Sequence, residues 1–375
     1  LYAAAGRHPI AGITAAFAGV SGGFSANLLP GQLDALLFGI TQAAVEASGL
    51  HPGWVANIAG NWYFIAAMLI VFLPVIWFVT DVIVEPRLKK FSPPNGEAMN
   101  NLGDANAPLT PEEKKGLGAA GLASLLIVGL WAVFVFMPGT PLINEEAPIP
   151  EARLTPLYQS LVAGFFLLFL VAGWAYGAAA GTIKNHRDVV KMMAAATGDL
   201  AYYLVLAFAA AHFVAMFNWS NLGLIFAVQG ADAIRESGLP LPALLVLIVV
   251  FTASINLFIG SASAKWALLA PVVVPMLMLL NVSPEMTTAA YRVGDSVTNI
   301  ITPLMVYFPL VLTFCQRWRT DYGLGSLTAA MLPYSFWLLI IGLGLTFGWV
   351  FLDLPLGPGS VVDYALPPSA PAPAP

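Results

Sequence analysis

A chain of 375 residues that is 59% hydrophobic and only 9% charged, with a mean hydropathy of +0.81, lies far from the ~25% charged composition of a soluble domain and reads as a polytopic α-helical membrane protein. Its net charge of −5 comes with no basic tract suited to nucleic acid, and its one cysteine, Cys315, excludes an internal disulfide and a cysteine metal cluster. The alternating segments of ~10 residues that build a membrane β-barrel are absent, as are Walker A, Rossmann, HExxH and GxSxG patterns, so nothing points to an enzyme.

Residues 1–50 already read as membrane sequence and do not start at Met, which predicts a chain lacking its N-terminal part. Their apolar run at 8–45 is interrupted by Gly, Ser, Asn and Pro, predicting a first re-entrant helical hairpin. Non-helical backbone at membrane depth is tolerated only when it is buried in protein or lines a cavity. This hairpin carries Ser21, Ser25 and Asn27 and is followed by Asp34. Residues 51–84 hold a first-repeat core span (57–84), and 85–117 is a polar loop. The loop ends in LTPEEKKG, a helix start with Thr110 as N-cap and Pro111 at the first position. Residues 118–217 supply scaffold and dimerisation spans at 118–138, 156–181 and 195–217, separated in part by an acidic loop at 139–155. At the end of the third span, AHFVAMFNWSNLG (211–223) makes His212, Asn218, Ser220 and Asn221 secondary candidates.

Residues 218–283 add a span at 240–259 and a second interrupted region at 260–283, predicting the second hairpin. Residues 284–356 hold a second-repeat core span (286–315) and a last span (326–352). The tail at 357–375 is rich in Pro and Ala and is predicted to be disordered or extended. An echo links the halves. FAGVSGGFSANLLP (17–30) resembles FIGSASAKWALLAP (258–271), and VANI (55–58) resembles VTNI (297–300) at nearly the same offset. Each pair stands as hairpin then span, the inverted-repeat plan of many secondary transporters, whose site lies at the repeat interface near the midplane. The predicted fold class is an all-α polytopic membrane protein with inverted repeats and two re-entrant helical hairpins.

All but two of the 15 Lys and Arg lie in loops or near segment ends; Lys265 and Arg292 are the exceptions. Among the 20 acids, Asp34 and Asp295 are the candidates for burial. An ionisable group inside a membrane helix costs about 2.5–3.5 kcal/mol on insertion scales and marks a transport pathway. Thr288, Arg292, Asp295 and Asn299 share one helix face, which predicts a functional polar stripe or, alternatively, a self-neutralising Arg–Asp pair joining helices. Pro303 has no N–H to give the Asn299 carbonyl. That carbonyl, with the side chains of Thr298 and Asn299 and with Asn27 of the first hairpin, suits the preference of hard cations such as Na⁺ for oxygen; a packing kink is the alternative. In the second hairpin Ser261 and Ser263 form a small-residue turn whose helix N-termini would face an anion, and Trp266 offers an aromatic plate. Such serines also serve plain helix packing. Lys265 is expected to snorkel to an interface rather than bind ligand.

The motifs GVSGGFSANLLPG, MFNWSNLG, GSASAKWALLAPV and SPEMTTAAYRVGDSVTNIITPLMVYFPL resemble the AbgT family of bacterial inner-membrane transporters. The likeness runs through nearly the whole chain, although the family's first two spans, before the first hairpin, have no match here. The resemblance implies nine transmembrane helices plus two hairpins, in a homodimer with a route through each protomer. It also implies substrates of the p-aminobenzoyl-glutamate type, export of sulfonamide antimetabolites with proton coupling, and a bound Na⁺. The family's functional positions fall on Asn256, Ser263, Trp266, Pro284, Arg292, Asp295 and Pro303, and its hairpin-one aspartate on Asp34.

The expected function is an ion-coupled secondary transporter in the bacterial inner membrane. Arg292 would pair with substrate carboxylates, Trp266 would stack on the aryl ring, and Ser263, Asn256, Ser25 and Asn27 would hydrogen-bond. Asp34 and Asp295 would take protons. The rivals are a Na⁺-coupled dicarboxylate carrier with a similar two-hairpin plan and a passive channel or membrane scaffold.

Overall fold

The computed structural model describes residues 1–88, 108–137, 139–147, 153–199 and 240–365, with a few single residues between 201 and 236. Every regular element among the described residues is helical. Helix α1 (Pro9–Phe17) runs into a π-turn at Ala18–Gly22, breaks over 23–31, and resumes as α2 (Gln32–Ser48). After an irregular stretch at 49–61 comes α3 (Trp62–Phe78), which continues in tighter and looser turns to Arg87. Helices α4 (Pro111–Phe136), α5 (Thr155–Ala179) and α6 (His186–Asp199) follow. The predicted N-cap is present: Thr110 Oγ1 accepts from the Glu113 N–H, and the Glu113 carboxylate accepts from the Thr110 N–H, a reciprocal capping box.

The second half is α7 (Leu241–Asn256), α8 (Ala262–Met278), α9 (Pro284–Val297), α10 (Phe308–Gln316) and α11 (Leu324–Phe351). Among the described residues, three helical stretches, Trp62–Arg87, Pro111–Phe136 and Leu324–Phe351, are long and apolar enough to cross a membrane. Their outer surfaces carry exposed Leu122, Leu125, Trp77 and Phe336, as lipid-facing walls require.

Two expectations about this half are corrected. The region 260–283 is interrupted only at its start, in the break at 257–261 beside the expected Ser261–Ser263 turn; beyond it α8 runs straight through Pro271 and Pro275, as apolar helices packed among neighbours can. At the break Ser261 caps α8 by accepting from the Ala264 N–H. Gly260 lets this turn press on the next broken segment, since a Cβ there would sit 2.5 Å from the Leu304 carbonyl oxygen. Both halves thus share one element order of helix, break, helix, loop, helix: α1–α2–α3 and α7–α8–α9. The sequence echo does not map onto equal places in that order. VANI lies in irregular chain ahead of α3, whereas VTNI closes α9.

The span expected at 286–315 is also broken, into α9 and α10 with non-helical backbone at 298–307. Pro303 does not start the break, which opens five residues before it. Instead the Thr298 hydroxyl donates to the Ala253 carbonyl and the Asn299 amide to the Ser21 carbonyl. These tertiary bonds hold the unwound segment against α7 and the π-turn at Ala18–Gly22.

Helix α9 is the centre of the molecule, buried at every position from Pro284 to Val297 and surrounded by α7, α11, α8 and α2. Its approach to α7 depends on Gly294, where a Cβ would lie 2.4 Å from the Val249 carbonyl oxygen and 2.7 Å from Thr252 Cβ. Small residues let helix backbones come this close in membranes. Gly294→Ala is therefore expected to lower stability by about 1–3 kcal/mol through overpacking, read as a reduced unfolding midpoint in detergent. An unchanged midpoint would mean that α7 and α9 separate without cost.

Residues 357–365 are ordered, and 366–375 lie outside the described residues. The Leu356 carbonyl accepts from the N–H groups of Tyr63 and Phe64 at 2.9 and 3.2 Å, and the Val362 carbonyl from that of Ser283 at 2.9 Å. The Asn57 amide donates to the Pro358 carbonyl at 2.7 Å. The tail therefore clips together the starts of α3 and α9, which occupy matching places in the two halves.

Candidate functional site

Helix α9 brings two buried cations and two buried anions together. Arg292 and Asp295 share its face, as their spacing predicts, but they do not pair with each other. Arg292 Nη1 donates to Asp34 Oδ1 of α2 at 2.6 Å, while the Lys265 ammonium of α8 bonds Asp295 Oδ1. The reason is packing: α2 and α8 lie against each other and both contact α9, so each charge meets a partner from a different helix. The expectation for Lys265 is overturned. Its side chain has no exposed surface, and its ammonium also donates to Asn256 Oδ1.

The two aspartates are held differently. Asp34 is in the first turn of α2, where the helix dipole favours a carboxylate; its Oδ2 accepts from the Gly31 N–H at 2.7 Å while Oδ1 takes Arg292. Both of its oxygens are engaged. Asp295 Oδ1 accepts from Lys265 and, at 3.3 Å, from the Tyr291 hydroxyl, but its buried Oδ2 has no partner. Arg292 is equally incomplete, because buried Nε and Nη2 have no acceptor. Those two N–H groups form one edge of the guanidinium, the fork that fits a carboxylate bidentately.

Around this core, Asn256 is the hub. Its Nδ2 reaches the Asp295 carbonyl at 2.6 Å, Thr298 Oγ1 at 2.9 Å and Asn299 Oδ1 at 3.0 Å, which turns its Oδ1 to Lys265. Thr298 and Asn299, the expected Na⁺ ligands, thus point their side-chain oxygens at the Asn256 amide. Asn27 is elsewhere, lining a cavity and donating to the Phe24 carbonyl.

The break between α1 and α2 also abuts α9. The Ser25 N–H donates to Ser296 Oγ at 3.1 Å, and the hydroxyls of Ser21 and Ser25 are buried without a partner. Trp266 is buried; its Nε1 donates to Thr41 Oγ1 at 2.8 Å, and its ring lies 4.4 Å from that of Tyr291. Thr41 bonds Thr288 in turn, at 3.0 Å. Ser263 sits half-buried at the start of α8, 3.4 Å from Ser261. Pro303 is exposed, and Pro284 is the first residue of α9 behind the Ser283 cap, an ordinary place for proline. His212 is exposed and bonds the Phe208 carbonyl; Asn218 and Asn221 lie outside the described residues. Thr41, Tyr291 and Ser296 were missed by sequence reasoning, and Lys265 was singled out but given the wrong place. Of the three missed, Ser296 left a signal, four residues after Arg292 on the same helix.

A cavity of about 820 Å³ opens beside this core, between the α1–α2 break and α5. Its walls include Phe24, Asn27, Trp62, Tyr158 and Phe165, and it ends on Asp34. Its size and apolar walls with few polar groups are those of a small-molecule site.

The model of the AbgT putative transporter family matches residues 1–364. This chain belongs to the AbgT family. It is 36% identical over 360 residues to the p-aminobenzoyl-glutamate transport protein of Escherichia coli K12, covering 96% of this chain and 68% of that protein. The YdaH transporter of Alcanivorax borkumensis, whose topology is described as unusual, is 42% identical with a TM-score of 0.62, over 94% of this chain and 72% of that one. MtrF of Neisseria gonorrhoeae, assigned to a class of antimetabolite efflux pumps, is 44% identical with a TM-score of 0.60, over 95% and 69%. The all-helical architecture and long apolar helices are accordingly those of an AbgT membrane transporter.

Proposed function

We propose that this AbgT chain carries aromatic carboxylates of the p-aminobenzoyl-glutamate type, or sulfonamide-type antimetabolites, across the bacterial inner membrane as a homodimer driven by protons. The observation that carries this reading is the free Nε–Nη2 edge of Arg292. A buried guanidinium half paired to Asp34 and half unpaired is prepared for an anion, because an unmet buried donor costs about 1–3 kcal/mol or more when charged. The aromatic walls of the cavity ending on Asp34 suit an aryl ring behind that anion.

Proton coupling falls on Asp295 in preference to Asp34. A proton on Asp295 Oδ2 displaces no hydrogen bond and weakens the attraction for Lys265, whereas a proton on Asp34 would cost a helix cap and an ion pair together. Loading and release would then follow from repacking of the broken segments at 23–31, 257–261 and 298–307 around α9. Rocking about discontinuous helices is how inverted-repeat carriers alternate access.

Flux of labelled p-aminobenzoyl-glutamate and of a sulfonamide into proteoliposomes, with pH and Na⁺ gradients imposed separately, tests the reading. Concentrative flux driven by the pH gradient is expected, with succinate failing to compete. Succinate transport driven by Na⁺ would replace it with the dicarboxylate carrier, and downhill flux indifferent to both gradients with a channel.

A further inference from the structure

We infer that the Lys265 ammonium is a tethered cation that fills the place an alkali coupling ion would take between α7, α8 and α9. Three observations carry this. First, the ammonium is fully buried and bonds two oxygens from different helices, Asn256 Oδ1 of α7 and Asp295 Oδ1 of α9. Second, the surrounding hydrogen bonds orient those oxygens. Asn256 spends its Nδ2 on the Asp295 carbonyl, Thr298 and Asn299, leaving its carbonyl end facing the ammonium. Tyr291, anchored on the Ala262 carbonyl at 2.5 Å, lies within 3.3 Å of the same Asp295 oxygen.

Third, the charges balance without a metal. Asp34 and Asp295 are matched by Arg292 and Lys265, so an added Na⁺ would leave an uncompensated buried cation, which is strongly unfavourable. Glu285 is also buried, but it lies ten residues before Asp295 on α9, about 15 Å along the helix at 1.5 Å per residue. The oxygens that the sequence suggested for Na⁺ therefore serve to position Asn256 around an ammonium supplied by the chain. Lys265 acts as a positioning residue and internal counter-ion, and the consequence is a carrier indifferent to Na⁺.

This inference rests on the ion-coupled reading of the site, so the decisive readout is Na⁺-dependent stability of the purified protein, which needs no transport. In the native protein, replacing choline chloride with NaCl at constant ionic strength is expected to leave the unfolding midpoint unchanged. Lys265→Ala removes the tethered cation and leaves Asp295, Asn256 and an opening, so its midpoint should rise by several degrees in NaCl over choline chloride. Lys265→Ala/Asp295→Asn, with no buried charge to satisfy, should lose that response. A Na⁺-specific shift in the native protein, or its absence in a folded Lys265→Ala variant, overturns the inference. If the single variant is unstable, parallel purifications in NaCl and choline chloride decide: folded protein recovered only with Na⁺ supports the inference, and recovery in neither, or equally in both, overturns it. Failure of these experiments leaves the substrate assignment standing, and failure of the flux assays leaves this one.

Discussion

Arg292→Lys is expected to fold and yet to lose carboxylate transport by roughly 10²–10⁴-fold. Lysine keeps a positive charge for Asp34, so the buried pair survives, but it offers a point charge in place of a planar fork. Two charge-assisted hydrogen bonds at about 1.5–3 kcal/mol each convert to that range at one decade per ~1.4 kcal/mol. Arg292→Ala would be a poorer test, because it strands a buried Asp34 carboxylate at a cost of about 3–5 kcal/mol and confuses folding with binding. The specific signature is a loss of discrimination. The native protein should prefer a glutamyl carboxylate to its carboxamide analogue, and Arg292→Lys should treat the two nearly alike. A variant that keeps both the native apparent affinity and the native preference would show that the free Nε–Nη2 edge meets something other than substrate.

Asp295→Asn is expected to abolish proton-driven flux altogether. The amide keeps the shape of the side chain but can neither take a proton on Oδ2 nor neutralise Lys265. Stranding the ammonium should lower stability by about 3–5 kcal/mol, which alone would explain inactivity. The double variant Asp295→Asn/Lys265→Met removes both charges at similar volume, so neither ion is left stranded, which is the costly case for a buried pair. Its unfolding midpoint should therefore recover while flux stays absent. Flux that returned with stability would reduce the Lys265–Asp295 pair to a scaffold element and move proton coupling to Asp34.

Much of this was legible from the residues. The apolar runs, the capping box at Thr110 and the interrupted stretches follow from local chemistry that a sequence displays directly. The candidate residues also converge: Asp34, Asn256, Arg292, Asp295, Thr298 and Asn299 are all buried around α9. Errors arose where local rules met competition from elsewhere in the chain. Pro303 accounts for the unmet Asn299 carbonyl, but the break opens one residue earlier, at Thr298, where side-chain bonds to Ala253 and Ser21 hold the unwound chain. The region 260–283 was expected to be interrupted, yet past the turn at 257–261 its helix runs on through Pro271 and Pro275. Lys265 was sent to an interface because a long cationic side chain in apolar sequence usually reaches one, and nothing local revealed an acid waiting on another helix.

The sequence by itself determined that a helix bundle sits in a membrane, that its apolar runs are interrupted, and which few polar side chains would be too costly to keep there without a use. Those are properties of single segments: apolar length, missing N–H groups and the penalty of an ionisable group in hydrocarbon. Only the tertiary structure decided who pairs with whom. On α9, Arg292 and Asp295 share a face, but a helix face is wide enough for two neighbours. Close approach at Gly294 brings α7 in, and the packing of α2 against α8 delivers Asp34 to one charge and Lys265 to the other. Partner choice depends on distances between helices far apart in sequence, and that is why the two charges of one helix face entered two separate ion pairs, with one edge of the Arg292 guanidinium left unpaired.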